Sequence, residues 1–319
     1  MYLLAPAPAP GPGRVDAAGG VTGQKPPLDG TLQGGVEGDV VVPDGPGAET
    51  TLSVPPTPAP PPAGTHILNF SYNFYGPYAI ATDGDEFVYV SDRDQILKFT
   101  LNGTLVDTWG GEESGGSPGQ FNGPAGIGVD AGGFVYVADA GNQRVQKFTS
   151  AGTFVTEWGT SAPHGLTVDS SGNVLTVQTN ECNVRKFDSA GTVVASWEFE
   201  KPHTCAGFGI ATDANNNVYI TDLSTDRVRK FDSMGNAISS WTGGGSGFYN
   251  PRGIDIDLSG DVYVVDNDNQ QIQKSNGNGS FLALWAAGNN PMDVAVDNFG
   301  SVYSTDSSLG IVSKWTSGE

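Results

Sequence analysis

The chain of 319 residues has little cysteine (2), methionine (3) or histidine (3), and only 15 Lys and Arg against 35 Asp and Glu. Each scarcity excludes something. The two cysteines, Cys182 and Cys205, allow one disulfide at most and show no C-x-x-C metal spacing. The basic residues form no cluster able to neutralise phosphates, which argues against a nucleic-acid partner. Six of the eight lysines (Lys98, Lys147, Lys186, Lys230, Lys274, Lys314) fall at one repeat register, so they are spread around the molecule. No apolar run approaches a membrane span, so no membrane insertion is expected. The opening MYLLAPAPAP has too short an apolar core, and no basic flank, for a signal peptide. No Ser-His-Asp grouping, paired-carboxylate signature, Walker motif or D-x-D-x-D-G calcium loop stands out.

What is abundant is glycine, at 46 residues, with 21 prolines and many β-branched and aromatic residues, while charged residues make up 16%. That profile suits a turn-rich β protein. The formal charge of −20 fits high solubility or a salty or extracellular setting. Residues 1–63 are rich in Pro, Gly and Ala and end in Pro55, Pro56, Pro58 and Pro60 to Pro62. Such a segment buries too little apolar surface to offset its ordering entropy and reads as an extended arm, an anchor or linker. One short piece, Gly38 to Pro43, has the composition of a strand that could add to a neighbour.

From Gly64 to the end the chain repeats. Six runs open on Pro or Gly and alternate to an Asp: Pro77 to Asp83, Pro124 to Asp130, Pro163 to Asp169, Gly207 to Asp213, Pro251 to Asp257 and Pro291 to Asp297. A tight turn such as Asp130 to Gly133 follows, then a strand such as Phe134 to Asp139, a polar loop, a third strand such as Arg144 to Phe148, and a Gly turn. The fourth strand carries Trp109, Trp158, Trp197, Trp241 or Trp285. The period is the roughly 40 to 50 residues of a four-stranded propeller blade, and the alternation is that of strands, not helices.

The sixth unit stops after its third strand, Ile311 to Trp315. Its missing fourth strand stands at the other end of the domain, where Gly64 to Phe70 matches Gly152 to Trp158 with Phe70 at the Trp register. The expectation is therefore an all-β, six-bladed propeller of four-stranded antiparallel blades over residues 64–319, its last blade closed by the domain's N-terminal strand so that no edge is left open.

The motifs P-x-G-I/L-x-V-D, V-Y-V-x-D, D-x-x-N-x-R-V-x-K-F (Asp139 to Phe148) and G-x-x-V-x-x-W resemble the NHL-repeat family over about 250 residues. The resemblance implies the fold but not an activity, because NHL propellers include enzymes, RNA binders, interaction modules and sensors. The recurring Asp92, Asp139, Asp222, Asp266 and Asp306 read as anchors of the loop after the second strand.

Function is sought where the repeats differ. The residue after each opening Pro or Gly falls on a ring at the axial mouth: Tyr78, Ala125, His164, Phe208, Arg252 and Met292. Two aromatics, an imidazole and a guanidinium suit a peptide, a glycan or a small anion. His164, in Pro163-His164-Gly165, resembles the P-H-G motif of peptidyl-hydroxyglycine amidating lyases, which implies catalytic zinc held by histidines on three blades. Here only one ring position is His, and neither His203 nor His66 supplies the others. Asp255 and Asp293, both on first strands, are the candidates for a gluconolactonase-like metal site. Cys182 and Cys205 fall in mouth-face loops of adjacent blades, placed for a disulfide or left as two thiols.

The reading is a non-enzymatic binding or structural module with no cofactor. It meets a protein or glycan partner through Tyr78, His164, Phe208, Arg252 and Met292, and the arm tethers it to a cell surface, extracellular filament or virion. The alternative is a metal-dependent lyase or hydrolase, with zinc or calcium.

Overall fold

A computed structural model of the chain describes residues 40–44, 48–52, 61–111, 113–179, 181–199 and 207–318. The chain divides into two compact units, Met1–Pro58 and Ala59–Glu319. In the first, strands Val40–Asp44 and Ala48–Leu52 pair antiparallel, Val40 opposite Leu52 and Asp44 opposite Ala48. The strand expected near Gly38 to Pro43 thus falls on Val40–Asp44, which pairs with Ala48–Leu52 of the same arm. The remaining arm residues lie outside the described ones.

The second unit is a ring of six four-stranded antiparallel sheets. Blade one runs Pro77–Thr82, Phe87–Asp92, Gln95–Thr100 and Leu105–Gly110 from axis to rim, and blades two to five repeat that order. Blade six is built from Pro291–Val296, Ser301–Asp306 and Ile311–Thr316, and its rim strand is His66–Asn69 from the start of the domain. The second strands are buried throughout, as in Val135–Asp139 and Val262–Asp266, because both faces of the sheet meet neighbouring blades. Rim strands are largely exposed instead, and Phe154–Gly159 turns every second side chain to solvent.

The recurring residues have architectural roles. Each fourth-strand Trp lies against the Gly of the next blade's last turn, which has positive φ: a β-carbon on Gly152 would fall 2.1 Å from Trp109 Nε1, and one on Gly279 2.5 Å from Trp241 Cδ2. The same contact holds at the closure, where Gly64 lies on Trp285 and Gly103 on Phe70. Phe70 therefore occupies the Trp position, within a core shared with Phe99 and Tyr303.

The repeat lysines tie blades together. Lys98 Nζ donates to Ser150 O at 2.7 Å and Lys314 Nζ to Leu101 O at 3.1 Å, each on the next blade, while Lys186 pairs with Asp169 at 2.7 Å. The loop aspartates act as the repeat implies. Asp92 accepts the Tyr75 and Gly76 N–H groups, Asp139 binds Asn122 N–H, Asn142 and Arg144, and Asp306 accepts Asn289, Ser308 and Leu309 N–H.

Candidate functional site

The ring positions owe their placement to a repeated irregularity. In every blade the pairing of first and second strands shifts register just after the opening Pro or Gly, as between Pro163 and Leu166 or Pro251 and Ile254. The skipped residues are left free of their own sheet. Hydroxyls on the second strand fill the gap: Ala79 N–H donates to Ser91 Oγ, Gly209 N–H to Thr221 Oγ1 and Asp293 N–H to Thr305 Oγ1. Thr221 and Thr305 then donate to the next blade's ring carbonyls, Arg252 O at 2.5 Å and Tyr78 O at 2.8 Å. These hydroxyls join blades at the axis, a role that no motif in the sequence announced.

Five of the six ring side chains meet as a plug. Tyr78 Oη and His164 Nε2 are 2.9 Å apart, the His164 and Phe208 rings 4.2 Å, and the Tyr78 and Phe208 rings 5.7 Å. The Arg252 guanidinium stands 5.4 Å over the Phe208 ring and donates to Met292 Sδ at 2.7 Å. His164 Nδ1 is 3.4 Å from Phe208 O. A carbonyl only accepts, so Nδ1 carries the proton and Nε2 accepts from the Tyr78 hydroxyl. Burial, against the opposing bond to Phe208 O and with a smaller push from the Arg252 charge, holds the His164 pKa down to about 4. Burial pushes the Tyr78 phenol up to about 12.

Both histidine nitrogens are therefore engaged within the plug, and the imidazole is neutral near pH 7. Met292 is only 4% exposed, and its sulfur accepts from the Arg252 guanidinium. Arg252 Nε is buried without a hydrogen-bond partner. Among the described residues no group of three or more His, Cys, Asp or Glu is arranged to hold a metal ion. His66 lies away from the ring, bonded to Asn69 and edge-on to Trp315. His203 and Cys205 lie outside the described residues. Cys182 is disulfide-bonded.

Two exposed tyrosines outside the ring register precede the first strands of blades one and five. Tyr75 (65% exposed) and Tyr249 (59% exposed) each stand two residues before the opening Pro of their blade, on the mouth face. The Arg93 guanidinium stacks 3.8 Å over the Tyr75 ring. Sequence reasoning missed both, although the shared Phe-Tyr-x-Pro of Phe74 to Pro77 and Phe248 to Pro251 was the available signal.

Behind the plug lies an axial cavity of about 470 Å³, lined by all six first strands and including Asp255 and Asp293. Asp255 Oδ2 accepts the Val296 N–H at 2.8 Å and Asp293 Oδ2 the Ile80 N–H at 3.0 Å, each across a blade seam. Burial raises both carboxyls to about 7, against the pull of these bonds.

The NHL repeat model matches residues 121–148 and 248–274. Among solved structures the chain is similar to a streptogramin B lyase (16% identity, 78% of this chain and 95% of that one, TM-score 0.60). It is also similar to a catalytically inactive variant of virginiamycin B lyase from Staphylococcus aureus with quinupristin (15%, 78% and 87%, TM-score 0.57). A third neighbour is a protein of unknown function from Bacteroides thetaiotaomicron (16%, 79% and 73%, TM-score 0.61). No curated protein matches the chain. Likeness at such identity speaks for fold alone, and with the repeat matches and the six-sheet ring it leads to one assignment: the chain is a six-bladed β-propeller that carries NHL repeats at residues 121–148 and 248–274.

Proposed function

We propose that the propeller is a binding module without chemistry of its own, which receives a protein or glycan partner on its mouth face. In this reading the Pro-rich arm anchors it in a larger assembly at a cell surface, extracellular filament or virion. The observation that carries the reading is Arg252. In a chain of charge −20, its guanidinium stands at the axial mouth on Phe208 and Met292 with a buried Nε that no group satisfies. Among the described arginines, Arg144, Arg185 and Arg229 each pair with a carboxylate, Arg93 stacks on Tyr75 and Arg227 donates to Thr225 O. A carboxylate or other anionic group on the partner would pair with the terminal N–H groups of the Arg252 guanidinium, which favours such anions. Tyr75 and Tyr249 add exposed rings for stacking on a sugar or a peptide side chain.

The test is an array of acidic and neutral glycans and peptides probed with the full chain and with Arg252→Ala. The reading expects hits enriched in carboxylate-bearing ligands that Arg252→Ala loses. Hits unmoved by Arg252→Ala would overturn it. A second reading, a metal-dependent lyase or hydrolase, draws on Asp255 and Asp293 in the axial cavity and on the lyases among the fold's neighbours.

A further inference from the structure

The axial cavity runs from the underside of the mouth ring to the turns at the opposite end of the axis, so a ligand would enter it from the face opposite to a partner at the mouth. Its inner floor is the underside of the plug, Tyr78 and Phe208. Its outer end reaches exposed turn residues, among them Ala131, Ser170, Leu258 and Asn298, and so opens to solvent. A volume of about 470 Å³ falls in the range of small-molecule sites.

Two carboxylates set its chemistry. Asp255 accepts N–H groups from Ile256 and Val296, and Asp293 from Val294 and Ile80. Each oxygen thus takes one hydrogen bond, and an ionised carboxylate has about four acceptor positions, so roughly half its capacity is free. The carboxylates just past the first strands are neutralised instead: Asp169 by Lys186, Asp257 by Lys274 and Asp297 by Lys314. Among the described residues no lysine or arginine forms an ion pair with Asp255 or Asp293.

The geometry points to a small organic cation as the ligand of this cavity, an amine whose ammonium sits against Asp255 and Asp293 and whose apolar body rests on the Tyr78 and Phe208 floor. The aromatic floor favours a cation as well as an apolar group, and the walls of Ile80, Ile127 and Ile254 exclude water from the body. Burial holds both carboxyls up to about 7, with the Asp255 charge adding to the shift at Asp293. Above that pH both are ionised and ready for a cation.

Titration calorimetry on the full chain at pH 8 tests this with benzylamine and its uncharged counterpart benzyl alcohol. Benzylamine should bind once per chain, at least about ten-fold more tightly than the alcohol, and Asp293→Asn should weaken the amine by a similar factor. Ala131→Trp, on an exposed turn at the cavity's outer end, should block the amine without shifting the melting temperature, and it decides the matter should Asp293→Asn fail to fold. No binding up to about 10 mM amine, equal affinity for amine and alcohol, or amine affinity unchanged by Ala131→Trp would each overturn the proposal.

Discussion

Gly64 lies flat on the indole of Trp285, so close that a β-carbon there would fall 2.2 Å from Trp285 Cγ. The two residues stand at opposite ends of the domain sequence and meet where the ring closes. Gly64 also has φ +72°, which disfavours any side chain. Gly172 has a similar φ of +79° but nothing within 4 Å of its would-be β-carbon. Gly172→Ala should therefore cost only the backbone strain, about 1 to 2 kcal/mol, whereas Gly64→Ala should cost about 2 kcal/mol more from the clash. Urea denaturation of the two variants measures the difference; equal losses would mean that the closing turn bears no packing role.

The rim strand His66–Asn69 supplies the next test. A chain beginning at residue 61 keeps every hydrogen bond of the closing blade and should melt with the full-length protein. A chain beginning at residue 71 loses Phe70 from the core it shares with Phe99 and Tyr303 and leaves Ile311–Thr316 as an open edge. It should aggregate or melt far lower. The chain beginning at residue 61 should also fail to join the native assembly, if the arm is its anchor.

The blades, their number and their closure were legible because every element of the repeat answers a local need. Glycines serve positive-φ turns, aspartates hold loops, and a Trp fills the space beside each turn glycine. Phe70 could be placed by register alone. The ring residues were legible as positions, yet register does not say which way a side chain leans. That Tyr78 bonds His164, and that Met292 supports Arg252 from a buried position, follows from the strand bulges and the curvature of six blades around one axis. The bonds of Asp255 and Asp293 across blade seams were illegible for the same reason, since their partners, Val296 and Ile80, belong to other repeats.

Stability should depend on pH through three axial groups with opposed signs. Asp255 and Asp293 have folded pKa values raised to about 7, so the folded chain holds protons that the unfolded chain releases between about pH 4 and 7. Their contribution is full below the unfolded value and is lost as pH rises through 7, by an amount on the order of 4 kcal/mol each. His164, held down to about 4, acts oppositely: its contribution is present above its unfolded value of about 6.5 and is lost as pH falls toward 4. Asp293→Asn should therefore remove part of the falling slope between pH 4 and 7, and His164→Gln should steepen that fall. Melting curves across this range report both slopes. Unchanged slopes would show that these groups titrate normally.

Tyr78→Phe leaves His164 Nε2 buried without its donor and should cost about 1 to 3 kcal/mol. In the parent chain, the His164 ring resonances should show a neutral imidazole protonated on Nδ1 at about pH 6. Titration near the ordinary imidazole value of about 6.5 would contradict the buried, bonded arrangement of the plug.

Elemental analysis of the purified full chain for zinc and calcium bears most directly on whether this propeller binds or catalyses. A binding module of the proposed kind should carry neither metal in stoichiometric amount after gel filtration. One tightly held equivalent of zinc or calcium per chain would contradict it and favour the metal-dependent lyase or hydrolase.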